Sequence, residues 1–334
     1  MDIDRVKHPT ISDVAALAGV STATVSRVLG QSGYVSGSAR ARIEAAIAEL
    51  DYRPSSVAQS LKQRKTNLVG VIIRDIHHPY YPSLVHGIET QAHEYGYSMI
   101  LCNGMNDLER ETKYFDYLAS RSADGIIIAS GSFQQKHYDY LCNSRTPIVF
   151  ATSDTVDPNI PSIASEPFEM GMMAGRHLRE SGYDKFAYIC GPRELSTAVA
   201  RRDGFIAGVG TKEVTVVYGE SDVESGERAI AELKPILTSG LGIGATNDQT
   251  AIGAMQAAQR LGYRVPDDIG FIGFDNIDTG QYTSPTLTTL DNNRHLVGMK
   301  AMQVLKNIID KNSGPYHDVV KPVLVVRGST QRFR

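Results

Sequence analysis

Three short stretches carry side chains fit for chemistry. RDIHHPYY places Asp75, His77, His78, Tyr80 and Tyr81 close together, ATND ends on Asn247 and Asp248, and GFDN holds Asp275. Each follows a short apolar run, so each stands at the end of an expected strand. Tyr80 or Tyr81 could stack on a sugar or other ring, or simply pack their helix, and the strand-end carboxylates and the Asn247 amide offer hydrogen-bonding groups to a ligand. Bond-breaking chemistry finds less support. His77 and His78 are neighbours and diverge on any regular element, which is not metal-ligand spacing. No GxGxxG follows an expected strand, no GxxxxGK[ST] occurs, and no Ser/His/Asp order or paired carboxylates stand out. The reading therefore expects no enzyme activity, no cofactor and no metal.

A second kind of chemistry lies near the N-terminus, where Arg27 is the best candidate for a base contact. A bidentate arginine on guanine is the commonest specific pairing in the major groove. The elements that would position it are read from TISDVAALAGVSTATVSRVLG, residues 10 to 30. Thr10 and Ser12 precede an apolar run and can cap a first helix with Val14, Leu17 and Ala18 on one face. Gly19 suits a tight turn. Ser21 caps a second helix that buries Val25, Val28 and Leu29 and turns Thr22, Ala23, Ser26 and Arg27 outward. Helix, glycine turn, helix is the geometry that lays the second helix in the major groove. Residues 36 to 50 form a third amphipathic helix through Ile43, Ile47 and Leu50. Pro54 can open a short helix beyond it, in a segment too poor in apolar residues to make a core.

Past residue 66 short apolar runs alternate with helical patterns. LVGVII from 68, SMILC from 98, GIIIA from 125, PIVFA from 147, FAYIC from 186, TVVY from 215, GIGA from 242 and IGFIGF from 269 read as buried parallel strands. Residues 81–95, 166–181 and 248–261 read as helices between them. This is repeated βαβ architecture, and its length implies two doubly wound sheets with a ligand cleft outside the carboxyl ends of their strands. Asp248 is suited to cap the helix that follows it.

The net charge of −3 over 334 residues hides an asymmetry. Residues 1 to 66 carry nine Lys and Arg against six Asp and Glu, a net +3, and the remainder, with 25 against 31, carries −6. A mildly basic head on an acidic body fits a protein whose head alone meets phosphate. Arg5, Lys7, Arg53, Lys62, Arg64 and Lys65 are its phosphate partners or simple solubilisers. The polar N-terminus offers no signal peptide and no stretch reaches membrane length. Cys102, Cys142 and Cys190 lack metal or disulfide spacing and read as packing residues in a reducing, cytoplasmic compartment.

Taken together, TISDVAALAGVS, TVSRVL, YRPSSVAQSL, GVIIRDIHHPYY, SADGIII, GFDN, PTLTTL and VVRGST resemble the lactose repressor/galactose repressor family of bacterial transcription regulators, from about residue 9 to 330. The resemblance implies an N-terminal all-α helix-turn-helix domain (1–53), a hinge helix and linker (54–66), and an α/β periplasmic-binding-protein-like body of two doubly wound lobes (67–334). Its first lobe takes in about 67–162 and 292–321, its second about 163–291 and 322–334, with three crossings between them. By resemblance Thr22 and Ala23 join Arg27 at base edges, Thr10, Ser21, Ser26 and Arg53 hold the DNA backbone, and Ser56 and Leu61 enter the minor groove. The resemblance makes Leu61 the wedge that would unstack a base step and bend the duplex; the alternative is that it packs onto the body. The hinge is expected to order only when two copies pair in the groove, which would couple the cleft to DNA affinity.

In the cleft, the resemblance adds Arg201, favoured over Arg202 by the R-x-x-G-F spacing, to His78, Tyr80, Tyr81, Asn247 and Asp275. An ion pair of Arg201 with Asp275 between the lobes of an empty cleft is the alternative. Family members commonly have Asn at His78 and Phe at both Tyr80 and Tyr81. Many carry an Asp where this chain has Ala151 and Thr152, unless Ser153 or Asp154 replaces it by a slipped register. The ligand is thus expected to be a sugar or sugar derivative, without a specific hexose being transferable. A palindromic DNA operator and a homodimer are the expected partners, because one helix-turn-helix reads too short a site. The ending VVRGSTQRFR shows no heptad extension, which favours a dimer over a tetramer. A periplasmic solute-binding protein would share the body but not the head.

Overall fold

The computed structural model describes residues 9–30, 32–53, 65–105, 107–120, 123–129, 135–151, 159–314 and 316–331. Ser56, Leu61, Arg5, Lys7, Lys62 and Arg64 lie outside them, as do Thr152, Ser153 and Asp154. The chain divides between Thr66 and Asn67 into two compact units.

Among its described residues the first unit has three helices, α1 (Ile11–Ala18), α2 (Thr22–Leu29) and α3 (Gly37–Glu49). Thr10 caps α1 in a reciprocal box: its hydroxyl accepts from the Asp13 N–H, and its own N–H donates to Asp13 Oδ2 at 2.7 Å. Ser12 lies inside the helix and caps nothing. Gly19 ends α1 at φ +63°, the left-handed region that costs glycine least. Ser21 caps α2 and Ser36 caps α3. Val14, Ala15, Ala18, Val25, Val28, Ile43 and Ala46 form the core. Leu17, expected on the buried face, is 47% exposed; Ala15 takes its place beside Val14 and Ala18.

The second unit carries two six-stranded sheets. The first contains β1 (Leu68–Ile73), β2 (Ser98–Asn103), β3 (Gly125–Ala129), β4 (Ile148–Ala151), β5 (Ser162–Ser165) and β11 (His317–Val320), in spatial order β11-β5-β4-β3-β1-β2, all parallel. The second contains β6 (Lys185–Cys190), β7 (Val214–Tyr218), β8 (Leu241–Ala245), β9 (Ile269–Phe274), β10 (Thr288–Asp291) and β12 (Val323–Val325), in order β12-β10-β9-β8-β6-β7. Among the described strands only β12 runs antiparallel to its neighbour. In each sheet the chain reverses direction beside its first strand, the switch point where doubly wound folds hold ligands.

Helices α4 (Tyr80–Glu94), α5 (Leu108–Ser120), α6 (Gln135–Asn143) and α11 (Arg294–Ile309) belong to the first lobe. The second lobe has α7 (Pro167–Glu180), α8 (Ser196–Val209), α9 (Val223–Leu233) and α10 (Asp248–Arg260). The chain passes between lobes after Ser165, after Asp291 and after Val320. All eight strands expected from Val- and Ile-rich runs are present. The other four, SIAS, TTLD, HDVV and VLV, are too short or too polar to stand out. Cys102 and Cys190 are buried, but Cys142 is exposed and is not a packing residue.

Three helix pairs approach so closely that glycine is required on both partners. On α7 and α8, a Cβ at Gly171 would stand 2.0 Å from the Arg201 carbonyl oxygen, and one at Gly204 would stand 1.9 Å from that of Phe168. Gly87 and Gly298 do the same between α4 and α11, and Gly226 and Gly253 between α9 and α10. The obstacles are backbone atoms, so no side chain can swing away. Gly204→Ala is therefore expected to destabilise the chain by about 3 kcal/mol, the upper end of overpacking costs. Its helix propensity alone would predict a gain of about 1 kcal/mol. Denaturant unfolding decides between the two by sign.

Candidate functional site

On the first unit, Thr22, Ala23 and Arg27 are exposed along α2 and Ser26 is half-buried. Ser21 Oγ accepts from the Thr24 N–H at 3.2 Å, and the Thr10 hydroxyl lies 2.7 Å from Asp13 Oδ2, so both caps are engaged locally. Arg53 is exposed, with Asp51 3.8 Å away.

On the second unit, the carboxyl ends of both sheets enclose a cleft of about 350 Å³. The segment after β1 brings Arg74, Asp75, His77, His78, Tyr80 and Tyr81 to one wall. The opposite wall comes from the segments after β6 to β9, through Thr197, Arg201, Glu220, Ser221, Asp222, Asn247, Gln249 and Asp275. Asn292, at the second lobe crossing, lies between them. All six residues expected in the site line this one cleft.

Arg201 and Asp275 are its centre. Arg201 Nη2 donates to Asp275 Oδ1 at 3.0 Å and Nη1 donates to the Thr246 carbonyl at 2.8 Å, while the guanidinium stands 4.9 Å from the centre of the Phe274 ring. Both residues belong to the second lobe. The pair therefore does not bridge the lobes, as the alternative expectation had it. Arg201 Nε is buried without a hydrogen-bond partner among the described residues.

The bridge between lobes is made elsewhere. His78 Nε2, from the first lobe, lies 3.0 Å from Asn247 Nδ2 in the second. Burial pushes the His78 imidazole below its ordinary pKa, against the opposing pull of Asp275. A neutral ring has one lone pair to offer; the contact from Asn247 is shorter than the 3.3 Å from the Tyr80 N–H to Nδ1, and places that lone pair on Nε2. Arg294, the first residue of α11, makes a second bridge. Its Nη1 donates to the Pro79 carbonyl at 3.0 Å and its Nη2 to the Asn276 carbonyl at 2.8 Å. Tyr80 and Tyr81 are buried edge to face, with ring centres 5.3 Å apart, and burial raises both phenol pKa values.

Sequence reasoning misplaced one residue here. Asn247, not Asp248, caps α10: its Oδ1 accepts from the Thr250 N–H at 2.9 Å, while its Nδ2 donates to the Ser221 carbonyl at 2.7 Å. Asp248 turns inward and is fully buried. Asn292 and Arg294 were also missed, since neither stands at a strand end rich in apolar residues.

Comparison with known proteins gives the architecture a family. Residues 10–55 match the model for "Bacterial regulatory proteins, lacI family". Residues 66–324 match "Periplasmic binding proteins and sugar binding domain of LacI family". The ribose operon repressor of Halalkalibacterium halodurans is 38% identical over 96% of this chain and 97% of its own. The repressor PurR of Mannheimia succiniciproducens is 33% identical over 97% and 99%. A Lac repressor dimer bound to operator and the anti-inducer ONPF superposes with a TM-score of 0.89 at 26% identity, over 98% of this chain and all of that one. A regulator from Alkaliphilus metalliredigens, in complex with D-xylulofuranose, gives 0.69 at 29% identity, over 79% and 98%. With both parts matched in chain order and full-length relatives above 30% identity, the chain belongs to the LacI family of bacterial transcription regulators.

Proposed function

We propose that the protein is a homodimeric repressor that holds a palindromic operator and responds to an uncharged, pentose-sized sugar bound between its lobes. Thr22, Ala23 and Arg27 read base edges; Thr10, Ser21, Ser26 and Arg53 hold phosphates; Ser56 and Leu61 enter the minor groove. His78, Tyr80, Tyr81, Arg201, Asn247 and Asp275 contact the effector. The domains run 1–53, 54–66 and 67–334, and the protein works in the cytoplasm, where its DNA is. No catalytic role is assigned to any residue.

The observation that carries the effector class is the charge of the cleft. Among the described residues it presents Arg74 and Arg201 against Asp75, Glu220, Asp222 and Asp275, a net excess of two carboxylates. Arg201 is already spent on Asp275 and the Thr246 carbonyl. A phosphate would meet net repulsion, with Arg74 outnumbered by the four carboxylates, whereas hydroxyls find carboxylate acceptors. The pentose scale follows the sugar in the D-xylulofuranose complex and the operon named for the first relative. Closure around such a ligand shifts the lobe angle, and the ligand moves that equilibrium only by its preference for the closed state.

Isothermal titration with D-ribose, D-xylulose and their 5-phosphates tests this reading. The free sugar is expected to bind at least tenfold more tightly than its phosphate and to change operator affinity. Tighter binding of the phosphates, or no binding by any of the four, sinks the proposed class.

A further inference from the structure

Asp275 sits on an unfavourable backbone. It has φ +99° and Asn276 after it has φ +50°, two consecutive residues with side chains in the left-handed region. Such a turn persists only where its surroundings over-determine it. The three N–H groups of residues 275 to 277 are each held. Asp275 N donates to the Leu290 carbonyl at 2.8 Å, Asn276 N to Thr289 Oγ1 at 3.2 Å, and Ile277 N to Asp248 Oδ2 at 2.8 Å. The Thr289 hydroxyl in turn pairs with Asp248 Oδ1 at 2.6 Å.

Two of the three anchors thus lead to one carboxyl group, that of Asp248. The site is built for it. Asp248 and Thr289 are both fully buried, and a Cβ at Gly273 would stand 2.2 Å from Asp248 Oδ1. The strand before the turn lacks a side chain where the carboxyl group passes. The hydrogen bonds given for the Asp248 carboxyl group run to the Ile277 N–H and the Thr289 hydroxyl, so its part is played through the turn.

We infer that Asp248 is a positioning residue of the effector site: it fixes the turn that aims the Asp275 carboxylate at Arg201 and the cleft. The inference rests on the reading of Asp275 as an effector contact, but its geometric half does not need a ligand.

The test compares the full chain with Asp248→Ala and Asp248→Asn by ligand-free crystal structures, D-ribose titration and melting temperature. In Asp248→Ala, Asp275 is expected to leave the left-handed region and lose Arg201, with D-ribose affinity at least tenfold weaker. Asp248→Asn keeps an acceptor for the Ile277 N–H and offers an amide to Thr289 Oγ1, and is expected to restore affinity to within threefold. A generally loosened fold would not be rescued in this way. An Asp248→Ala chain with an unmoved Asp275 and unchanged affinity overturns the inference. If D-ribose binds no variant, the pentose reading fails while the crystal structures still decide the position of Asp275. Should Asp248→Ala not fold, Thr289→Val cuts one anchor alone, and unchanged D-ribose affinity in it overturns the inference equally.

Discussion

Asp275→Ala is expected to abolish the effector response and lose D-ribose affinity by at least a hundredfold. Two effects combine. The ligand loses its buried carboxylate acceptor, and Arg201 loses the one carboxylate its guanidinium holds among the described residues. The Arg201 side chain is 13% exposed and would keep one hydrogen bond, to the Thr246 carbonyl. Removing one member of a buried pair typically costs about 3–5 kcal/mol, because the charge left behind is uncompensated. The single variant should therefore also melt at lower temperature. Asp275→Ala combined with Arg201→Met removes both charges, and is expected to regain most of the stability while binding nothing. Operator affinity measured without effector should survive in the double variant. A single variant that still responds normally would remove Asp275 from the site.

The second large effect concerns pH. Burial, reinforced by the nearby Asp275 and opposed by Arg294 and the hydrogen bonds from Thr289 and Ile277, raises the Asp248 carboxyl from 3.8 to about 8. A group whose folded pKa is raised favours the folded state below its unfolded value and loses that contribution as pH rises toward the folded value. The window is then about pH 4 to 8. An asparagine at this position does not titrate, and all other groups are shared by the two chains. The unfolding free energy of the natural chain relative to Asp248→Asn is expected to fall by about 1.4 kcal/mol per pH unit across that window and to level off above it. Parallel curves in denaturant titrations from pH 5 to 9 would show that Asp248 is ionised in the folded chain.

Both predictions touch residues that the sequence exposed to different degrees. The place of Asp275 at the cleft is legible because a continuous apolar run, IGFIGF, ends just before it, and ligands collect at strand ends in this architecture; its choice as a ligand contact rests on the family resemblance. Asp248 was seen and misassigned by one position. Asn and Asp cap equally well, and the choice between them is made by a hydroxyl 41 residues away on β10. That strand, TTLD, is short and polar and left no trace in the hydropathy pattern. Arg294 was invisible for a related reason, since its partner at Pro79 lies 215 residues away. The glycine contacts failed differently: Gly171, Gly204 and the rest stand inside good helices, where sequence reasoning scores them only as a propensity penalty. Leu17 and Cys142 show the reverse error, an apolar residue credited with burial that its helix face did not provide.

The lobe crossings determine how the second unit can move. They are Glu166, Asn292–Asn293 and Lys321–Pro322, one or two residues each between regular elements. A joint made of one cord could twist, slide and bend. A flexure of three short ties resists twisting and separation and leaves bending as its soft mode. The lobes on either side are stiffened by helices in backbone contact through paired glycines. One tie, at Asn292, also forms part of the cleft wall and leaves a buried Oδ1 without a partner among the described residues. A molecule seated there bears on the pivot itself, at the point of shortest lever arm, where an ångström of displacement becomes the largest angle between the lobes.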